Sequence, residues 1–265
     1  MLFQALDPRV IYVLLVQGIL LIFFIIITYK ILSRKRKRLN IMFSGFFIST
    51  IIGNLLNIIY YSISKLTLIT KFISDLILSL NFLTNFFFLF SAIFLLTVNR
   101  TLLESTIVFS IKRQNIAIAL YGITLLVGMT VLVVMGINFD KMNPLFGVKL
   151  NEEGGPWWGI VFFIYVFCFS MTFVVIPIIR TSMKIYRSFE TEYLKRKWLY
   201  YFMGCLGTFS IFYMIGIGNV VNQSAFQLGV GFYTISIILW VTLMYYGLGY
   251  KLQESKQEKQ TVISK

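Results

Sequence analysis

Two apolar segments of this chain each carry a pair of asparagines whose spacing places the pair on one helix face. Asn54 and Asn57 are three residues apart, and Asn81 and Asn85 are four apart; these separations bring side chains together on an α-helix. Neutral amides at membrane depth either recognise a neutral ligand or hydrogen-bond between helices, and both interpretations stay open. If the two segments pack antiparallel, Asn54 should pair with Asn85 and Asn57 with Asn81.

A single acidic residue, Asp75, lies near membrane depth, about one turn into the third apolar segment. Ionisable groups at such a depth usually face a protein interior or a water-filled cavity. Asp75 is therefore either a further member of the asparagine site or a carboxylate at the membrane interface.

Missing residue types exclude several kinds of chemistry. The chain has no histidine, which removes imidazole bases and histidine-ligated metals. No Asp, Glu, Lys or Arg lies near the middle of an apolar segment, where proton-coupled transporters and retinal proteins generally need one. Cys168 and Cys205 both fall within apolar segments, and their number indicates neither a disulfide framework nor a metal cluster. We expect no catalytic residues, no cofactor and no bound metal.

The elements that must position these side chains are membrane-spanning helices. The chain has 265 residues, of which 58% are hydrophobic and 13% charged, and a soluble domain is about a quarter charged. A helix needs about 20 mainly apolar residues to cross a bilayer. Seven such runs occur, at about residues 10–32, 40–63, 72–98, 116–137, 158–179, 198–220 and 228–250. The sequence thus predicts an all-α seven-transmembrane helix bundle over residues 1–250 and a polar tail over 251–265.

The distribution of basic residues predicts the orientation of the bundle. Most of the 24 Lys and Arg fall in alternate connections, beginning with the one after the first span, and cytoplasmic loops carry such an excess. We therefore expect the N-terminus outside and the C-terminal tail in the cytoplasm, in a multi-pass protein of the plasma or cell membrane. The net charge of +14 is then a matter of topology, and no nucleic-acid partner is indicated.

Two basic clusters and one proline are candidate sites for passing on a signal. The clusters either contact a cytoplasmic partner or anionic lipid, at about 1 kcal/mol per charge, or serve only as topology signals. They comprise Arg34, Lys35, Arg36, Lys37 and Arg38 in the first loop, and Lys195, Arg196 and Lys197 before the sixth span. Pro177 lies inside the fifth span, where proline kinks a helix, so it is either a hinge or a static kink.

The second half of the chain carries a loose family pattern. A Gly-Pro-Trp turn (155–157) precedes an aromatic fifth span containing FFIYVFCF (162–169), and a glycine-containing sixth span ends near Asn219. The seventh span closes as YYGLGYKLQ (245–253). Over residues 138–253 this pattern resembles the seven-transmembrane sensor region of prokaryotic histidine kinases and related signalling proteins. The resemblance implies that the helices detect a signal and pass it to a cytoplasmic output domain. Because the sequence stops at Lys265 without such a domain, we expect a separate partner.

Three functions remain open at the level of the sequence. The first is a stand-alone signal-sensing or receptor-like protein that acts on a cytoplasmic signalling partner. The second is a structural or accessory subunit that packs against other membrane subunits, for which apolar spans and short loops are equally suitable. The third is a carrier for a small neutral or lipidic substrate, although an inverted repeat with paired broken helices is not evident.

Overall fold

Seven helical segments long and apolar enough to cross a membrane dominate the computed structural model, as expected of a multi-pass membrane protein. The structure describes residues 8–34, 38–66, 70–104, 109–138, 145–150 and 156–249. The first four spans are single helices, namely α1 (Pro8–Leu32), α2 (Arg38–Leu66), α3 (Lys71–Leu103) and α4 (Ile111–Asn138). The prediction of seven apolar spanning helices is confirmed, and the tail at 251–265 lies outside the described residues.

Of the three remaining spans, the sixth is a single helix, and the fifth and seventh are less regular. The fifth consists of α5 (Ile160–Ser170), a π-helical segment (Met171–Val175) and α6 (Ile176–Ser188). The sixth is α7 (Glu192–Val221), and the seventh is divided at Ser236 into α8 (Ser224–Ile235) and α9 (Ile237–Gly249). Helices α3 and α7 extend about a turn or more beyond their predicted spans, because polar and charged residues continue a helix beyond the apolar core as long as they bring no strong breaker.

A short hairpin interrupts the otherwise helical fold. Strands β1 (Val148–Leu150) and β2 (Pro156–Trp158) pair antiparallel, with Val148 opposite Trp158. Trp157 is exposed and Trp158 is buried, as the twofold alternation of a strand requires. The hairpin contacts α3 and α7. The predicted all-α fold class is confirmed, and this loop is a local exception, where a run too short for a periodic signal forms two three-residue strands.

Successive spans pack against one another in a closed ring, and α3 also contacts helices across it. Helix α2 packs against α1 and α3, α3 also contacts α4, α6 and α7, and α7 packs against α8 and α9. Contacts of α1 with α8 and α9 close the ring. We call the end where α1 stops and α2 begins the basic end, after its Lys and Arg residues, and we call the opposite end the hairpin end.

Candidate functional site

A cavity of about 180 Å³ opens in the half of the bundle nearer the hairpin. Side chains from α1, α2, α3, α7, α8 and α9 line it, together with Pro156 of the hairpin. Its position between helices, with several of them contributing side chains, is typical of ligand sites in helix bundles. The polar lining residues are Gln17, Thr50, Asn54, Asn57, Tyr60, Tyr61, Asn81, Thr84, Asn85, Asn219, Gln227 and Thr234.

The polar lining is neutral. It contains amides from α1, α2, α3, α7 and α8, and among the lining residues that the structure describes none is Asp, Glu, Lys or Arg. All four predicted asparagines, Asn54, Asn57, Asn81 and Asn85, lie on this one wall. The arrangement can donate and accept hydrogen bonds, but it offers no counter-ion to a charged ligand.

The hydrogen bonds within the wall differ from the predicted cross-helix pairs. The Nδ2 of Asn85 donates to the Oδ1 of Asn81 at 2.9 Å and to its backbone oxygen at 2.8 Å, all within α3. The Nδ2 of Asn54 donates to the backbone oxygen of Gln17 on α1 at 3.0 Å, and Asn81 also interacts with the hydroxyl of Tyr60. The predicted Asn54–Asn85 and Asn57–Asn81 pairs are therefore not formed between these described residues. Asn85 has a nearer acceptor one turn away on α3, whereas Asn54 and Asn81 contact Gln17 on α1 and Tyr60 on α2 instead.

Among the residues that the structure describes, two buried polar atoms of the cavity wall have no hydrogen-bond partner. The Oδ1 of Asn54 and the Oγ1 of Thr84 accept and donate no hydrogen bond, although these residues are only 1% and 2% exposed. Thr50 and Thr234 instead donate to backbone oxygens of their own helices. A buried polar group left unpaired costs about 1–3 kcal/mol, so these two atoms mark a place where a ligand or water is needed.

A smaller side chamber of about 30 Å³ adjoins the cavity between α3, α5 and α7. It shares Asn85, Phe88, Phe212 and Ile215 with the main cavity, and the rings of Phe88 and Phe212 stack with centroids 5.8 Å apart. The rest of its lining is almost entirely apolar. One exception is the Nε1 of Trp158, a buried donor without a partner.

Asp75 does not belong to the cavity. Its side chain is exposed on the first turns of α3, and it is absent from the lining. Sequence reasoning missed Gln17, Asn219 and Gln227, each an amide in or beside an apolar run. Their amide side chains in apolar surroundings could have indicated these positions. Unlike the asparagines of α2 and α3, however, they do not occur in pairs spaced three or four residues apart.

Pro177 lies directly after the π-helical segment. The amide of Ile176 donates to the oxygen of Met171, five residues earlier, and Pro177 has no amide hydrogen with which to continue the helical ladder. π-Helical turns are frequent at functional sites. The fifth span is therefore irregular at the predicted position, and whether it moves stays a prediction.

The basic end uses several predicted partner-binding residues for internal contacts. Arg34 donates to the hydroxyl of Tyr245 and lies over its ring, and Arg38 donates to Gln114 and Asn115 on α4. Lys197 is 3% exposed, and its Nζ lies 5.6 Å from the ring centroid of Tyr246 on α9. These three side chains connect helices at the basic end and are poorly placed for a docking surface.

Other basic residues at this end remain accessible. Lys195 forms an ion pair of 2.9 Å with Glu192 one turn away, whereas Arg196 is exposed. Lys184 and Arg187 on α6 are also exposed. The predicted contacts at Lys35, Arg36 and Lys37 lie outside the described residues.

Comparison of the chain with protein-family models, with curated proteins and with solved structures finds no match. Function must therefore be inferred from the cavity and from the two ends of the bundle.

Proposed function

We propose that this chain is a seven-transmembrane receptor-like protein that binds an uncharged small molecule and signals through its basic end. The observation that carries the proposal is the amide-lined cavity, in which the Oδ1 of Asn54 and the Oγ1 of Thr84 are buried without a partner. A structural wall would be expected to pair its polar atoms internally. In a ligand-binding site without its ligand, some polar atoms of the wall are expected to be unpaired.

Helix α7 offers a route from the cavity to the basic end. It lines the cavity with Ile211, Ile215 and Asn219, and it runs without interruption back to Glu192. Near the basic end, the Nε1 of Trp198 on α7 donates to the backbone oxygen of Ser182 on α6 at 2.9 Å. A ligand that shifts α7 would therefore also move α6, on the far side of the irregular segment before Pro177.

The proposed orientation places the hairpin and cavity mouth outside and the basic end in the cytoplasm. It is supported by the excess of basic residues at one end, since positive charge is retained on the cytoplasmic side. The signal would then reach a cytoplasmic partner with an acidic surface through Lys184, Arg187 and Arg196. Their exposure distinguishes them from the internally bonded Arg34, Arg38 and Lys197.

The test is gentle detergent extraction of the tagged protein from its native cells, followed by quantitative mass spectrometry of co-purifying proteins. We expect a stoichiometric cytosolic regulator with the wild type. The triple variant Lys184→Gln/Arg187→Gln/Arg196→Gln should reduce its recovery by roughly tenfold, since it removes three charges of about 0.5–1 kcal/mol each. The matched control Lys71→Gln/Lys149→Gln removes charges at the hairpin end and should leave recovery unchanged.

Two other outcomes would contradict the receptor proposal. Stoichiometric recovery of several membrane subunits, unaffected by the triple variant, would indicate an accessory subunit. The protein recovered alone, together with uptake of a neutral solute into vesicles that contain it, would indicate a carrier.

A further inference from the structure

We propose that the ligand is a small uncharged amphiphile, with an amide or hydroxyl donor bound between Asn54 and Thr84 and an apolar tail that reaches the side chamber at Trp158. This inference rests on the proposed ligand-binding role of the cavity and names its ligand class. It is carried by three independent properties of the site, which are its neutrality, its unpaired polar atoms and its two-part shape.

Neutrality excludes ions as ligands. In the part of the chain that the structure describes, the lining supplies amides, hydroxyls and aromatic rings but no charged side chain. A buried charge without a partner or a hydrogen-bond network is strongly unfavourable. A carboxylate or an ammonium would lose its hydration in this cavity and gain no opposite charge in return.

The unpaired atoms specify the polar group of the ligand. One N–H of the Asn54 amide is bonded to Gln17, and the buried atom of this side chain that lacks a partner is its Oδ1 acceptor. The hydroxyl of Thr84 can both donate and accept. The complementary group must therefore bring at least one N–H or O–H, and a primary amide or an alcohol satisfies both partners.

The shape specifies the tail. Phe88, Phe212 and Ile215 border both the main cavity and the side chamber, so the apolar tail of a ligand would contact these side chains where the two spaces adjoin. Phe163 and Val166 line the chamber farther on. The cavity, at about 180 Å³, is smaller than the 300–1,000 Å³ of a typical drug-sized site, which favours a molecule of roughly six to ten heavy atoms.

The first measurement is the thermal unfolding midpoint of the full chain in detergent with three probes of equal chain length. Hexanamide carries a neutral donor, whereas hexanoate and hexylammonium carry opposite charges. A ligand that binds only the folded state raises the midpoint. We expect hexanamide at tenfold excess over its Kd to raise it by roughly 2–4 °C and the charged probes to raise it by less than a quarter of that.

The second measurement repeats the hexanamide titration with Thr84→Val. This change replaces the unpaired hydroxyl with a methyl group of similar size, so the free protein should be as stable as the wild type. Hexanamide affinity should fall by about tenfold, as expected for one lost hydrogen bond. The control Thr97→Val lies on the same helix, removes a hydroxyl bonded to the oxygen of Ile93 outside the cavity, and should keep the wild-type affinity.

Equal effects of the three probes, or a hexanamide response unchanged in Thr84→Val, would overturn the inference, as would no hexanamide response in the wild type. Partitioning of the probe into detergent is the same for all variants and cannot produce their difference. The co-purification test uses no ligand, so recovery of a cytosolic regulator together with a negative probe result would reject this ligand class and leave the receptor proposal standing.

Discussion

Asn99 joins α3 to α6 near the basic end through its neutral side chain. It is fully buried in α3, and its Nδ2 lies 2.8 Å from the Oγ of Ser182 on α6. The backbone oxygen of Ser182 accepts the indole N–H of Trp198 on α7. Helix α3, which lines the cavity nearer the hairpin end, here contacts α6 and, through Ser182, α7, the two helices proposed to carry the signal. The strength of the Asn99–Ser182 hydrogen bond therefore contributes to how firmly these helices are joined.

A double-mutant cycle measures that contact. We expect Asn99→Ala and Ser182→Ala to couple by about 0.6 kcal/mol, with an upper range near 1.7 kcal/mol, as is typical of hydrogen bonds between membrane helices. Reversible unfolding in mixed micelles gives the free energy of unfolding for each variant. The control pair Asn99→Ala and Thr130→Ala should be additive, because Thr130 bonds only within α4. Coupling within error of zero for the first pair would contradict the assignment.

Sequence reasoning found the cavity wall but not its bonding. The spacing of Asn54, Asn57, Asn81 and Asn85 predicts their faces, because helical periodicity fixes which side chains share a face. It does not fix the rotation of one helix against its neighbour. That rotation determines that Asn54 donates to the backbone oxygen of Gln17. It also determines that the buried hydroxyl of Thr84 has no hydrogen-bond partner among the described residues.

At the scale of elements, α7 and α9 approach closely because glycines lie at their interface. A Cβ atom built on Gly204 would lie 2.5 Å from the backbone oxygen of Trp240, and one on Gly207 would lie 2.1 Å from the Trp240 ring. Small residues permit such approaches between membrane helices. The side chain of Gly229 on α8 would instead have no neighbour within 4 Å.

The same substitution at two glycines should therefore act in opposite directions. Gly204→Ala forces backbone to move and should lower the free energy of unfolding by about 1–3 kcal/mol. Gly229→Ala meets open space and should leave stability unchanged or raise it by up to about 1 kcal/mol, through helix propensity. Thermal unfolding of both variants in the same detergent gives the comparison. A destabilised Gly229→Ala or a neutral Gly204→Ala would show that the interfaces are assigned incorrectly.

The spans could be predicted from apolar length alone, whereas their irregularities could not. A run of about 20 apolar residues has few alternatives to a membrane helix, which is why seven spans emerge from composition. The π-helical segment at Met171–Val175 and the division of the last span at Ser236 depend on packing against neighbours. Pro177 predicts an irregularity in the fifth span, because it lacks a backbone N–H. The missing N–H alone does not predict whether the helix bends or forms a π-helical turn.

At the scale of the whole molecule, charge separates the two ends of the bundle. Exposed Arg113, Lys184 and Arg187 lie at the basic end, and the bond from Arg38 to Gln114 joins the starts of α2 and α4 there. The cavity lies toward the opposite end, where the described part of the chain exposes Lys71 and Asp75. An orientation with the basic end in the cytoplasm would thus open the cavity to the outside.

Cysteine labelling in intact cells tests this orientation. In a Cys168→Ser/Cys205→Ala background, Lys71→Cys places an exposed thiol at the hairpin end and Arg187→Cys places one at the basic end. We expect a membrane-impermeant maleimide to label the Lys71→Cys protein in intact cells and the Arg187→Cys protein only after permeabilisation, with at least a tenfold difference. The physical reason is that the basic segments resist translocation across the membrane.

Labelling of the Arg187→Cys protein in intact cells would show that the orientation is the reverse of the one proposed, with the cavity mouth on the cytoplasmic side. Lys184→Cys, one turn earlier on α6 and also exposed, serves as the replicate, because a local change in reactivity at one position would not recur at both. An inverted result would also move the proposed ligand to the cytoplasm and remove the basis for a cytoplasmic partner at Lys184, Arg187 and Arg196. Orientation is therefore the property on which the direction of signalling depends, whereas the neutrality of the cavity holds for either side.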